Sequence, residues 1–319
     1  MLRVTPTLAY YLNIFANLHR NQNPRWGAAP HKPILLLAVL DEIERGNISQ
    51  NLIELTPALG AAFRAYWRAL VPPATWQERI ANPFRFLVQE SFWTLVKNGV
   101  AVNPQGLGYN PTISQLTTEI DGATLDPPLW KLLQDRANLA TLRTHLLKVY
   151  FGEAPAKIVK AVPANPIDYE VERLIAEAKS KFKVKIVSEA KDEVGYYIRH
   201  SLFPGVVKRM YDEACAVCAL RVRAATTGRI VDAAHIMPFY AFHNDDPRNG
   251  IALCKNHHRG FDAGWFSITD DYTILVSPSL EYTSNYVTAG VSILLPAQPH
   301  LAPASEALQW HRNHVFVAK

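Results

Sequence analysis

Apolar positions in the first 150 residues gather into a few dense stretches. In "HKPILLLAVLDEIERG" (31–46) every position from Pro33 to Leu40 is apolar. A helix with no polar side in its middle belongs at the centre of a domain. Pro33 suits a first helical turn and Gly46 a stop. The spacing predicts further helices in "TLAYYLNIFANLHR" (7–20), "ALGAAFRAYWRALV" (58–71) and "PLWKLLQDRANLATLRTHLLKVYF" (128–151). "NPFRFLVQESFWTLVKNG" (82–99) alternates apolar and polar residues, which predicts strands around a turn. "YFGEAPAKIVKAVPANPIDYE" (150–170) is rich in Ala, Pro and Lys and poor in large apolar residues, the composition of a linker.

Beyond it, helices are predicted in "DYEVERLIAEAKSKF" (168–182) and "HSLFPGVVKRMYDEACAVC" (200–218). "GRIVDAAHIMPFYAF" (228–242) and a polar loop "HNDDPRNG" (243–250) follow, then a helix containing "ALCKNHHRGFD" (252–262). "FSITDDYTILVS" (266–277) reads as a hairpin turned by "TDD". The expected organisation is α+β: residues 1–152 a mostly helical domain with a small sheet, 153–167 a linker, and 168–319 a second domain.

Composition narrows the class. A chain of 319 residues with 49% hydrophobic and 19% charged content is long enough for two cores. No window approaches the uninterrupted apolar run of a membrane span, and the first residues lack the pattern of a secretory leader, so a cytoplasmic protein without a membrane partner is expected. The net charge of +5 is mild, so contact with a polyanion must come from local clusters. Three cysteines give no disulfide framework.

All three cysteines fall into two short-spaced pairs. Cys215 and Cys218 form "CAVC"; Cys254 and His257 form "CKNH". A C-x₂-C pair with a C-x₂-H pair supplies the donors of a tetrahedral structural zinc. Helical neighbours three apart share a face, so Cys254 and His257 can hold one ion. The 35 residues between the pairs are long for a zinc ribbon, and they contain "VDAAHIMPF", then Asn249 fourteen residues after His235, then His258 nine residues later.

With "YDEACAVC", "DAAHI", "RNGIALC" and "HHRGFDAG" in this order, residues 195–275 resemble the HNH nucleases, and the likeness extends to "LQWHRNHVF". That resemblance implies a ββα-metal fold in which two strands and a helix clasp one divalent ion. It implies that His235 is the general base, that the Asn249 amide orients it by fixing its loop, and that His258 ligates a catalytic magnesium or manganese ion. It also implies 5′-phosphate and 3′-hydroxyl product ends. Many members carry an Asp just before the base as a second ligand; here that residue is Ala234, and Asp232, on the same side of a strand, is the substitute. Adjacent helical residues diverge by about 100°, so His257 is assigned to the zinc and His258 to the catalytic ion.

"GAAPHKPILLLAVLDEI" (27–43) with "NPFRFLVQESFWTL" (82–95) resembles the sulfur-binding domain of restriction enzymes that attack phosphorothioate-modified DNA. His31, Lys32, Pro83 and Phe84 match that family's motifs, which help form its recognition surface; Asn82 stands where the family has Tyr. Arg25, Arg79 and Arg85 are candidate phosphate contacts. Together the resemblances imply a modification-dependent endonuclease acting on double-stranded DNA, with phosphorothioate the favoured mark and a modified base the second. The rivals are an HNH enzyme for an unmodified sequence and a catalytically silent DNA sensor. Cutting both strands calls for two active sites, which favours a homodimer.

Overall fold

The structure is a computed structural model that describes residues 6–104, 106–152, 158, 162–182, 192–222, 230–281 and 286–317. The chain divides into two compact units, residues 1–169 with 189–198, and residues 170–188 with 199–319. Of the expected linker 153–167, residues 153–157 and 159–161 lie outside the described residues. No helix of the described residues is long and apolar enough to cross a membrane.

The first unit is built around α2 (His31–Glu44), whose residues from Lys32 to Ile43 are all buried. Helices α3 (Pro57–Leu70) and α7 (Arg136–Phe151) pack on it, and α1 (Leu8–Ala16) packs on α7. Each Leu or Ile that α2 withdraws from water contributes about 2 kcal/mol. The helix also buries charge, and every charge is met. Asp41 accepts from Tyr66 Oη at 2.9 Å and pairs with Arg143 at 2.8 Å, while Lys32 pairs with Glu90 at 2.7 Å. Gly46, at φ +79°, ends the element as its sequence position implies.

Two short strands, β1 (Gln22–Asn23) and β2 (Gly27–Ala28), pair ahead of α2. The segment 82–99 departs from its expected strand–turn–strand form. Its first half is α4 (Ala81–Phe86) and a following 3₁₀ turn, and only its second half is a strand, β3 (Trp93–Lys97). Phe84 and Leu87 are three apart and both fully buried, so the helical spacing, not the alternation, decides this segment. β3 lies between β4 (Val100–Ala101) and β5 (Gly122–Leu125) in an antiparallel sheet. Helix α5 (Ile113–Glu119) precedes β5 and carries a Thr112–Gln115 capping box. The single helix expected over 128–151 is two, α6 (Pro127–Leu132) and α7, because Asp135 caps α7 through Ala137 N–H.

Helices α8 (Pro166–Glu177) and α9 (Glu193–Met210), which belong to the second unit from residues 170 and 199 onward, are followed by an antiparallel ribbon of β6 (Val231–His235) and β7 (Gly250–Cys254). A four-residue helix, α10 (Phe239–Phe242), sits in the connecting loop. β7 runs straight into α11 (Lys255–Asp262), so "ALC" is a fully buried strand and not the start of the expected helix. The apolar alternation partner of "ALC" is β6, which only tertiary pairing reveals. β8 (Phe266–Ile268) and β9 (Ile274–Val276) form the expected hairpin, and α12 (Ser305–His314) closes the unit. Gly250 lets α9 pack on the ribbon: a Cβ there would stand 2.4 Å from Val207 Cγ2.

Candidate active site and metal centre

The two cysteine pairs meet. The ligand atoms of Cys215, Cys218, Cys254 and His257 all lie within 4.8 Å of one another. Cys215 leads the knuckle after two residues in left-handed conformation, Asp212 and Glu213, and Ala219 is left-handed again behind Cys218. This turn, closed by Ala219 N–H to Cys215 O at 2.9 Å, aims both sulfurs to one side. Cys254 is the N-cap residue of α11, and His257 follows one turn later with Nδ1 3.1 Å from the Cys254 sulfur and 3.4 Å from that of Cys215.

The donor set fits a structural zinc. Burial pushes the Cys215 thiol up, but hydrogen bonds from His257 and from the N–H groups of Cys218, Cys254 and Val217 outweigh it and bring the group to about 6. His257 Nε2 donates to Tyr286 O at 2.7 Å, which leaves Nδ1 turned to the sulfurs as a ligand nitrogen. Tyr286 also stacks on that imidazole at 4.9 Å. No spacing in the sequence marks Tyr286, since only the folded loop brings its carbonyl to the ring.

His258, next along α11, faces elsewhere. Its Nδ1 lies 3.2 Å from Asp232 Oδ2 on β6, and its Nε2 lies 3.5 Å from Asp262 Oδ2, one turn on in the same helix. Asp232 also pairs with Lys255 at 2.7 Å. Burial works against the Asp232 carboxylate, yet Lys255 and His258 hold it below its ordinary range. Side chains here keep 29% exposure at Asp232 and His258 and 54% at Asp262, so the cluster is open to solvent where the cysteine cluster is closed. Asp232 with Nδ1 of His258 offers an oxygen and a nitrogen to a hard divalent ion, while Asp262 meets the ring's other nitrogen and orients it. Asp262 is a residue the sequence reading missed, although its i,i+4 spacing from His258 was available.

His235 ends β6 with its ring flat on Phe203, centroids 3.9 Å apart at 5°. Alternation along the strand turns it to the opposite side from Asp232. Asn249 is fully buried, accepts from Met237 N–H at 2.9 Å and donates to Met237 O and Asn244 O. Its amide therefore ties together the loop that follows His235. Arg248 is engaged by Asp246 at 2.7 Å and Ser180 O at 2.7 Å.

Residues 215–269 match the HNH_2 family model, an HNH endonuclease. The chain carries an HNH endonuclease domain. The matched span takes in both histidine clusters, His235 and Asn249. Among curated proteins none matches the chain. One solved structure, a "Modification dependent TagI restriction endonuclease", is similar at 24% identity with a TM-score of 0.28, over 36% of this chain. The likeness spans 38% of that protein's length.

In the first unit a cavity of about 470 Å³ is lined by His31, Lys32, Arg79, Asn82 and Pro83, so five of the seven expected recognition residues share one hollow. Trp76, Phe86 and Tyr109, which the sequence reading passed over, give it aromatic walls. The other two lie outside the lining. Arg85 spends its guanidinium on the carbonyls of Leu107 and Gly108, and Arg25 lies over the Trp26 ring. Burial pushes the His31 imidazole down to about 4, and its Nε2–H donates to Gln77 O at 2.8 Å. Burial likewise lowers Lys32, whose charge Glu90 answers at 2.7 Å. Asn82 donates to Asn110 Oδ1 at 2.7 Å, the position where the sulfur-binding resemblance calls for an aromatic ring.

Proposed function

We propose that the chain is a metal-dependent, modification-dependent restriction endonuclease that acts in the cytoplasm on double-stranded DNA. The observation that carries the reading is the matched HNH span in which Asp232 and His258 come within 3.2 Å at the mouth of a ββα element. His235 serves as the base that takes a proton from the attacking water, and Asn249 holds its loop. Asp232 and His258 would hold the catalytic magnesium or manganese ion, which polarises the scissile phosphate when bound, and Asp262 would orient the His258 ring from its other nitrogen. Cys215, Cys218, Cys254 and His257 would hold zinc and fix the helix that carries His258.

The first unit selects the DNA. A floor whose imidazole is neutral and whose lysine is already paired favours a group less hydrated than a phosphate oxygen. A phosphorothioate sulfur against Pro83 and Trp76 meets that condition, with Arg79 near the remaining charge. A modified base against the same aromatic walls is the second reading, favoured by the volume of the cavity. Cutting of both strands is assigned to a homodimer.

The test is cleavage of one duplex made plain, phosphorothioated, methylated and hydroxymethylated, with Mg²⁺ and with Mn²⁺, beside a His235→Ala protein. Cutting confined to the phosphorothioated duplex and lost in the variant is the expected result. Equal cutting of all four overturns modification dependence. Tight binding to one duplex without cutting makes the protein a sensor.

A further inference from the structure

Asp245 lies in the loop between β6 and β7 and belongs to none of the sequence motifs, yet it is 8% exposed and faces the HNH centre. Its Oδ1 stands 3.0 Å from His235 Nε2 and 3.7 Å from His200 Nδ1 on α9. These two histidines are the titratable groups beside it. Burial opposes the carboxylate's charge, but both imidazoles hold it ionised, below the usual carboxylate range.

An ionised carboxylate can only accept, so the short contact must be a hydrogen bond donated by Nε2–H of His235. Neutral His235 is thereby kept in one tautomer, with its lone pair on Nδ1. The face of Phe203 stops the ring from rotating away. Asn249 acts one step further back: by holding Asn244 O and both backbone groups of Met237, it fixes the two ends of the loop that separates His235 from Asp245.

We infer that Asp245 is a positioning residue for His235, holding its Nε2–H so that Nδ1 is the atom that removes the proton from water. The inference rests on His235 being the base. In the step, a water O–H bond breaks and its proton passes to Nδ1. The water oxygen bonds to phosphorus as the bond from phosphorus to the 3′ oxygen breaks, and that oxygen takes a proton from solvent. The imidazolium formed at His235 sits against the Asp245 charge and returns its proton to solvent afterwards. His200, stacked on Phe239 at 4.2 Å, shares the same carboxylate oxygen from the other side.

The experiment uses the full zinc-loaded chain as wild type, Asp245→Asn, Asp245→Glu and His235→Ala, on whichever duplex the wild type cuts. Asp245→Asn keeps the shape and removes the charge. Its kcat should fall about 10²-fold with KM for DNA within about two-fold, and the acid limb of its rate profile should move to lower pH. Nitrogen-15 spectra of labelled histidines, recorded without Mg²⁺, should give His235 as the Nε2–H tautomer in wild type and as a mixture in Asp245→Asn. Asp245→Glu should restore part of the rate. An Asp245→Asn protein that keeps its acid limb and a single His235 tautomer overturns the inference, whatever its rate. A His235→Ala protein that still cuts overturns the base assignment instead, so the two failures are distinct.

Discussion

His257 and His258 are neighbours on one helix, yet their surroundings are opposites. His257 is 5% exposed, its ring lies on Tyr286, its Nε2–H is spent on a carbonyl, and its other nitrogen meets sulfur. His258 meets two carboxylates in a cluster open to water. The first arrangement has no place for an exchangeable ligand, as a structural ion requires. The second leaves room for water and phosphate, as a catalytic ion requires. A single step of about 100° along one helix therefore separates the two surroundings, and the proposed roles predict different losses when each is removed.

The largest effect should come from the closed side. Cys215→Ser, or a strong chelator, removes a binding energy on the order of 10 kcal/mol. Thermal melts of the full chain should then lose the transition of the second unit and keep that of the first. A chelator-treated protein with an unchanged melt would mean that the cysteine cluster holds nothing. On the open side, His258→Ala should lower the cleavage rate by about 10³-fold and leave the melting temperature within about 2 °C. A large drop in melting temperature would show that the two corners are not separable.

Asp262→Asn should be milder, raising the Mg²⁺ concentration for half-maximal cutting about ten-fold. A metal titration with unchanged midpoint means that Asp262 does not orient the His258 ring. The smallest change belongs to Lys255→Ala. Lys255 is an internal cation competing for Asp232, so its loss should lower that Mg²⁺ midpoint roughly three-fold, within the range of exposed ion pairs.

Much of this contrast was legible in the letters. The spacing of Cys215, Cys218, Cys254 and His257 names a tetrahedral site before any fold is known, because short loops and single turns bring such pairs together. The buried α2 was legible for the same reason, an unbroken apolar pattern with punctuation at both ends. Asp245, His200 and Tyr286 were not, since each reaches its partner through a loop or a different helix and carries no local spacing. Segment 82–99 was misread because alternation and three-residue spacing coexist there, and burial of Phe84 and Leu87 decided between them. The cavity of the first unit was half legible: His31, Lys32, Arg79, Asn82 and Pro83 were named, while its aromatic walls come from positions with no shared motif.

The helix bearing His258 has one more support. His311, on α12, is buried against Phe261 with ring centroids 3.7 Å apart, donates to Phe261 O at 3.0 Å, and meets Ser267 Oγ at 2.8 Å. The ribosome delivers that histidine about fifty residues after the end of α11. A chain that has emerged only as far as α11 lacks the ring that braces Phe261, so this support of the helix follows the order of synthesis.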